Sequence, residues 1–450
     1  MRIALCTISA GAPRALAATS FIGAFAEGLE TIGQHVRIIS LNQTGEPWYS
    51  QALGFSAVST PWIDPPTFGP ADLRAAARAD MFSEPPALEG ETLPRWYREV
   101  LLEREFASLP GDGPGIAMVY PRSLPFLDVV SSVTRRIGWG LLVFATEALT
   151  DEQIDPGERE RYIRRVVEDA DCVWAVSEYL ARFWEQQGVP ASRIVVSPPP
   201  VRGAFFAVAE EPAHPEPKAL YVGNLAHREI GYLLEIAESV RERVPGFSLA
   251  IHGDATADQL DRLSGAISAA GLRDVIALMP PVPIAELPAL LRTARVLLLP
   301  RAQGDFSQAG FPNKLGEYLS SGRPVVVTAV GDIPRYLVDG ESALLVSPDG
   351  CADFADAVVR LLGDDELAQR IGHKGREVAL AVSCADVVAS KVLDLVLDIE
   401  PLPAADPRLL RGWIMLGRSL LQRSVLLLKK SLVRMLRAVG LKPPPPDTER

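Results

Sequence analysis

The densest group of residues able to do chemistry is the run Gly310-Phe311-Pro312-Asn313-Lys314-Leu315-Gly316-Glu317. Pro312 is favoured at a helix start, which predicts that Asn313, Lys314 and Leu315 fall in the first turn. Backbone N–H groups without intrahelical acceptors, together with the helix dipole, suit a diphosphate at that point. Lys314 adds a point charge for the same anion. One turn on, the carboxylate of Glu317 accepts two hydroxyl hydrogen bonds. Gly223, just after the apolar run Ala219–Val222, lets the backbone approach the phosphates. In the loop beyond it, His227 or Arg228 supplies a second cation.

Positioning these groups requires a repeating scaffold, and the sequence supplies one. Ile3–Thr7 is a short apolar run followed by the small-residue loop Ser9-Ala10-Gly11-Ala12-Pro13, a helical stretch from Phe21 to Ile32, and the β-rich run Val36–Leu41. Strand, loop, helix, strand is a βαβ unit and predicts a parallel sheet with a right-handed crossover. The rhythm recurs through Ile116–Tyr120, Leu141–Phe144, Cys172–Val176 and Ile194–Ser197. Residues 42–110, rich in Pro, Trp and Tyr, interrupt it and read as an insertion carrying specificity loops. Glu210–Pro217 is acidic and proline-rich, a linker signature. The rhythm then restarts through Ala219–Val222, Ser248–His252, Val275–Leu278, Val296–Pro300 and Val325–Val327. The expected class is therefore α/β, with domains at 1–207 and 218–385, a linker at 208–217, and a helix over 386–400 returning to the first domain. Open parallel sheets bind ligands at the carboxyl ends of their strands, so the cleft between the two domains is the expected site.

From Lys218 onward the sequence resembles the nucleotide-sugar-binding half of family 4 glycosyltransferases, which have the GT-B fold of two Rossmann-like βαβ domains. The matching stretches are Leu220-Tyr221-Val222-Gly223-Asn224-Leu225, Leu249-Ala250-Ile251-His252-Gly253-Asp254 and, most specifically, Gly310 to Leu319 running into Ser321-Gly322-Arg323-Pro324. Gly331-Asp332-Ile333-Pro334 and Asp339 to Val346 also match. The first half is similar more loosely, through Ala170-Asp171 and Val176-Ser177-Glu178. The resemblance implies a nucleotide-sugar donor held by Gly11, Gly223, Asn224, His227, Arg228, Gly253, Arg301, Asn313, Lys314, Leu315 and Glu317, with Glu317 on the ribose. It further implies a retaining transfer without metal, cofactor or protein nucleophile, in which the leaving diphosphate takes the acceptor proton. Arg122 and Glu147, both just after strands, are the acceptor-side candidates.

The sequence also departs from the family. The first of two expected glutamates falls on Ala309, with Asp305 and Gln308 as nearby substitutes, and Asn224 stands where the family has an arginine. His227, Arg228, Arg301 and Lys314 are then the cations available for the diphosphate. These departures keep two alternatives open: a catalytically silent GT-B scaffold that recruits a partner enzyme, and a nucleotide-sugar epimerase of the same fold. Of the histidines, only His227 and His252 fall near the expected cleft. Asp364-Asp365 reads as a helix start rather than a metal site.

Composition bounds these readings. The 450 residues are 48% hydrophobic and 22% charged, which excludes global disorder and fits two domains. A net charge of −11 argues against nucleic acid as a partner of the body. Cys6, Cys172, Cys351 and Cys384 are too dispersed for a zinc site or a disulfide framework and read as reduced, buried thiols. The N-terminus reads as a strand rather than a signal peptide, and no apolar run is long enough to span a bilayer. Between Arg408 and Lys442, within the tail at 401–450, there are nine basic residues and no acidic one. At helical spacing, Arg and Lys share one half of the circumference, with Trp413 and the leucines opposite. This predicts a basic amphipathic helix on an anionic membrane surface. The expected protein is cytoplasmic, peripheral to the inner face of the membrane, and acts on an envelope glycan or lipid-linked acceptor.

Overall fold

The computed structural model describes residues 1–7, 17–40, 57–59, 115–120, 124–149, 155–207, 216–223, 229–253, 255–348 and 350–398, with a few further positions between 99 and 113 and Leu225. Two parallel sheets with flanking helices make up the molecule. The first has seven strands in the order β3-β2-β1-β4-β5-β6-β7. These are β1 (Arg2–Thr7), β2 (His35–Ser40), β3 (Ala57–Ser59), β4 (Gly115–Tyr120), β5 (Gly140–Ala145), β6 (Cys172–Ala175) and β7 (Ile194–Val196). Its helices are α1 (Ala17–Thr31), α2 (Leu124–Ile137), α3 (Pro156–Asp169) and α4 (Glu178–Gln186).

The second sheet has six strands in the order β10-β9-β8-β11-β12-β13. They are β8 (Lys218–Val222), β9 (Ser248–His252), β10 (Ile276–Met279), β11 (Val296–Leu299), β12 (Val325–Thr328) and β13 (Leu344–Val346). The helices here are α5 (Glu229–Arg241), α6 (Ala257–Ala269), α7 (Leu287–Arg292), α8 (Asp305–Ala309), α9 (Asn313–Ser320), α10 (Ile333–Tyr336), α11 (Cys351–Gly363) and α12 (Asp365–Val382). A last helix, α13 (Ala385–Asp398), packs against α1 of the first domain. Chain order reverses between β1 and β4 in one sheet and between β8 and β11 in the other, so each has a switch point where strand-end loops diverge and leave a crevice.

Strand sequences are near-continuous apolar runs because helices cover both faces of a parallel sheet. Val296, Leu298 and Val326 join a cluster on one face of the second sheet. Leu297, Leu299, Val325 and Val327 point the other way. Those latter residues belong to an apolar cluster that continues through Leu315 of α9 and Val388, Val392 and Leu393 of α13 into the first domain. Val201 and Ser383 tie the connection by a 2.7 Å backbone hydrogen bond, and Ala385 N–H donates back to Val201 O at 3.1 Å. Phe21 and Phe25 of α1 lock onto Tyr120, Phe144 and Trp174 through ring contacts.

Three readings from sequence are corrected. The interval 42–110 contains β3, which extends the first sheet by pairing with β2. Leu344–Val346, matched to the family from sequence without a strand being assigned, is the sixth strand of the second sheet. Of the four cysteines, all free, Cys6 and Cys172 are buried while Cys351 and Cys384 are part-exposed. Among the described residues no helix is long and apolar enough to cross a membrane. The linker residues 208–215, the tail at 401–450 and His214 lie outside the described residues.

Candidate functional site

The candidate site grows from the β8/β11 switch point. β8 ends at Val222, and Gly223 follows with its N–H donated to His252 O at 2.8 Å. A Cβ on Gly253 would lie 1.9 Å from Gly223 O, so the two strand-end turns touch only because Gly253 lacks a side chain. Helix α9 opens beside them. Pro312 is its N-cap, with ψ 121°, one position earlier than a proline in the first turn, and Asn313 is the first helical residue. A proline at the cap offers no side-chain acceptor to the first-turn N–H groups.

Two tyrosines hold this helix end against β8. Tyr318, buried, accepts a 2.7 Å hydrogen bond from Val222 N–H through its hydroxyl. Tyr221, fully buried, presents its hydroxyl 3.3 Å from the Lys314 amine, which also lies 4.8 Å from the Tyr221 ring centroid. A cation over an aromatic face is attracted by the ring quadrupole. The amine sits so close to Gly223 that a Cβ there would be 1.9 Å from Nζ. Gly223, Gly253 and Lys314 therefore converge at the switch point, while Leu315 is fully buried beneath and Asn313 is half-buried.

Glu317 is buried, and its Oε1 accepts a 2.5 Å hydrogen bond from Ser20 Oγ on α1 of the first domain. Burial pushes its carboxyl up to about 7, against the opposing pull of the Ser20 hydroxyl and the Lys314 charge. Arg301, just beyond β11, is buried with its guanidinium 5.7 Å from the Phe306 ring centroid, and its N–H donates to Thr328 Oγ1 at 2.8 Å. It lines a groove with Tyr232, Thr328, Ser347 and Cys351. His252 is buried at the end of β9, Nδ1 3.1 Å from Pro280 O, and burial lowers its pKa. Its backbone carbonyl joins the glycine turns by accepting from Gly223 N–H.

Glu147 is exposed on the bend after β5, at the rim of a small pocket lined by Phe144, Tyr162, Phe183 and Trp184. Arg122, Gly11, Asn224, His227 and Arg228 lie outside the described residues. Ala309, where a carboxylate was expected, is fully buried, and its carbonyl accepts a 2.5 Å hydrogen bond from Ser177 Oγ. Asp305 is exposed and Gln308 half-buried. Asp364 caps α12 through Leu367 N–H, as a helix start requires. Among the described residues no group of three or more His, Cys, Asp or Glu could hold a metal ion. Sequence reasoning missed Ser20, Tyr221 and Tyr318 as functional neighbours. Only Tyr318 had a local signal, one position past Glu317.

Residues 216–364 match the family described as glycosyl transferases group 1. This stretch resembles a group 1 glycosyltransferase domain. Gly223, Gly253, Arg301, Lys314 and Glu317 all lie within the matched residues. Among curated proteins, D-inositol 3-phosphate glycosyltransferase of Pseudarthrobacter chlorophenolicus is 30% identical over 241 residues, covering 51% of this chain and 56% of that protein. The alpha-D-kanosaminyltransferase of Streptomyces kanamyceticus is 28% identical over 167 residues, 37% of this chain and 41% of its own. The chain thus spans about half the length of the curated relatives it matches. Of solved structures, Anabaena HepE in complex with UDP aligns with a TM-score of 0.66 over 89% of this chain and 100% of that one, at 12% identity. Sucrose-phosphate synthase from Thermosynechococcus elongatus gives 0.62 over 88% and 98%, at 18% identity. At such identities the likeness is one of fold, the two-domain GT-B arrangement.

Proposed function

We propose that the chain is a glycosyltransferase moving a sugar from a nucleotide-sugar donor to an envelope glycan or lipid-linked acceptor, with retention of configuration. The observation that carries this reading is the Lys314 amine held against Gly223 at the open end of α9, with Glu317 one turn on. The fold likeness to HepE, solved in complex with UDP and with UDP-glucose, supports a nucleoside diphosphate as part of the ligand. The diphosphate lies across the N-terminus of α9, and Glu317 accepts the ribose hydroxyls. As the bond between the anomeric carbon and the diphosphate oxygen breaks, Lys314 and the helix N–H groups stabilise the charge left on that oxygen. The acceptor hydroxyl adds to the anomeric carbon and its proton passes to the same oxygen. The donor is a substrate, and the reading calls on no cofactor and no metal.

In this reading residues 1–207 serve the acceptor, with Glu147 and Arg122 as the side chains that meet it. The basic 408–442 segment binds an anionic membrane surface on the cytoplasmic side, bringing the site to a lipid-linked acceptor. Calorimetric titration with UDP and GDP, followed by transfer and hydrolysis assays on a panel of nucleotide sugars, tests the reading. Binding that weakens in Glu317→Ala supports it; absence of both transfer and hydrolysis across the panel sinks the enzyme. The burial of Ala309 under Ser177 favours one second reading, a silent scaffold, in which nucleotide binds but no donor is consumed.

A further inference from the structure

Two motifs stand outside the donor chemistry: Val176-Ser177-Glu178 in the first domain and Gly331-Asp332-Ile333-Pro334 in the second. The structure brings them together. Asp332, buried, accepts a 2.7 Å hydrogen bond from Glu178 N–H through Oδ2, so a carboxylate of one domain caps helix α4 of the other. Ser177, the N-cap of α4, receives Leu180 N–H at 3.2 Å and donates its own hydroxyl to Ala309 O at 2.5 Å. Arg335 Nη2 lies 2.9 Å from Glu178 Oε1 and closes the set.

The receiving side is continuous with the donor helix. Gly331 has φ +55°, and a Cβ there would lie 2.9 Å from Ser307 O and 3.0 Å from Gln308 O, so this turn stacks directly on α8. Tyr336 of α10 packs edge-on against Phe311, ring centroids 5.4 Å apart. Ala309 and Phe311 in turn lead into Pro312 and α9, which carries Lys314 and Glu317. We infer that Ser177, Glu178 and Asp332 form a clasp that fixes the first domain against the segment feeding the donor helix, making them positioning residues for sugar transfer. The inference rests on the glycosyltransferase reading for its kinetic consequence but not for its geometry. The donor-side residues that the structure describes, Gly223, Gly253, Arg301, Lys314 and Glu317, lie within the second domain and none belongs to the clasp, so losing it changes donor binding little and slows the step that needs both domains in register.

The test compares the full chain with Asp332→Ala, Asp332→Asn and Arg335→Ala by solution X-ray scattering, thermal melts and transfer kinetics with the donor found active. Expected for Asp332→Ala is a larger radius of gyration, a kcat reduced about tenfold or more and a donor KM within about twofold, the size of effect on losing a hydrogen bond to a charged group. Asp332→Asn keeps an acceptor oxygen and restores most of the rate. Arg335→Ala, at an exposed side chain, shifts scattering and kcat in the same direction by less, without unfolding. Unchanged scattering in both alanine variants overturns the clasp, whether or not melting temperature falls. If no donor is transferred by the wild type, the glycosyltransferase reading fails while the scattering comparison still decides the clasp.

Discussion

Gly223→Ala separates a fold role from a binding role. An alanine Cβ at this position would lie 1.9 Å from Lys314 Nζ and 2.8 Å from Tyr221 Oη. Carbon and nitrogen need about 3.5 Å, so the ammonium must withdraw by roughly 1.5 Å, while fully buried Tyr221 cannot follow. A displacement of that size takes the amine out of hydrogen-bond range of an anion it was placed to meet. Hydrogen bonds to charged groups contribute about 1.5–3 kcal/mol, so UDP or GDP affinity falls roughly 10- to 150-fold. The lysine is a flexible side chain that swings aside, so the stability cost falls on the 2.8 Å approach to Tyr221 Oη alone and stays below that of an unrelieved backbone clash. Gly253→Ala should do the reverse. Its Cβ would lie 1.9 Å from the backbone oxygen of Gly223 and 2.6 Å from Leu225 Cδ2, and a backbone cannot swing away. Overpacking of this kind costs about 1–3 kcal/mol, a drop in melting temperature of about 2–10 °C. Isothermal titration and thermal melts on the two variants read both quantities. Because Gly223→Ala acts through Lys314, the double variant with Lys314→Ala binds no worse than Lys314→Ala alone. Wild-type affinity in Gly223→Ala, or fully additive losses in the double variant, refutes the argument.

Three further outcomes are expected. Glu317 carries a carboxyl raised from 4.5 to about 7, so the folded state holds its proton more tightly than the unfolded chain. Its contribution to stability is greatest below 4.5, declines as pH rises to about 7 and is level above; Glu317→Gln should flatten that segment of the melting-temperature profile. Ribose hydroxyls donate to the ionised carboxylate, so UDP or GDP affinity rises with pH up to about 7, and Ser20→Ala, which removes a hydrogen bond favouring that form, moves the midpoint upward; a pH-independent affinity contradicts this. Deleting residues 408–450 abolishes flotation with anionic liposomes; equal flotation of both forms refutes a membrane-binding tail.

Much of the scaffold was legible because its signals are local. Long buried strands such as Ile116–Tyr120 and Ser248–His252 announce themselves as apolar runs, and the helix after Pro312 follows from proline's missing N–H and fixed φ. The strands missed or left as loops, Ala57–Ser59 and Leu344–Val346, span three residues each, too few for any period to show. Gly223 could be marked as a place of close approach, but not that a side chain of this chain already stands there. That depended on Tyr221 and Lys314, 93 positions apart.

The amino-acid sequence by itself determined the α/β class, the βα rhythm of the longer elements, and the chemical kinds of group at the head of α9: a cap without a donor, a cation and a carboxylate. Tertiary structure alone decided which groups meet. Ser20 reaches Glu317 across 297 positions and Asp332 caps Glu178 across 154. The reason is physical. Helix and strand formation is set by neighbours three or four residues away or by alternation, whereas a hydrogen bond between domains depends on how two whole sheets pack. Residue spacing carries no record of that distance.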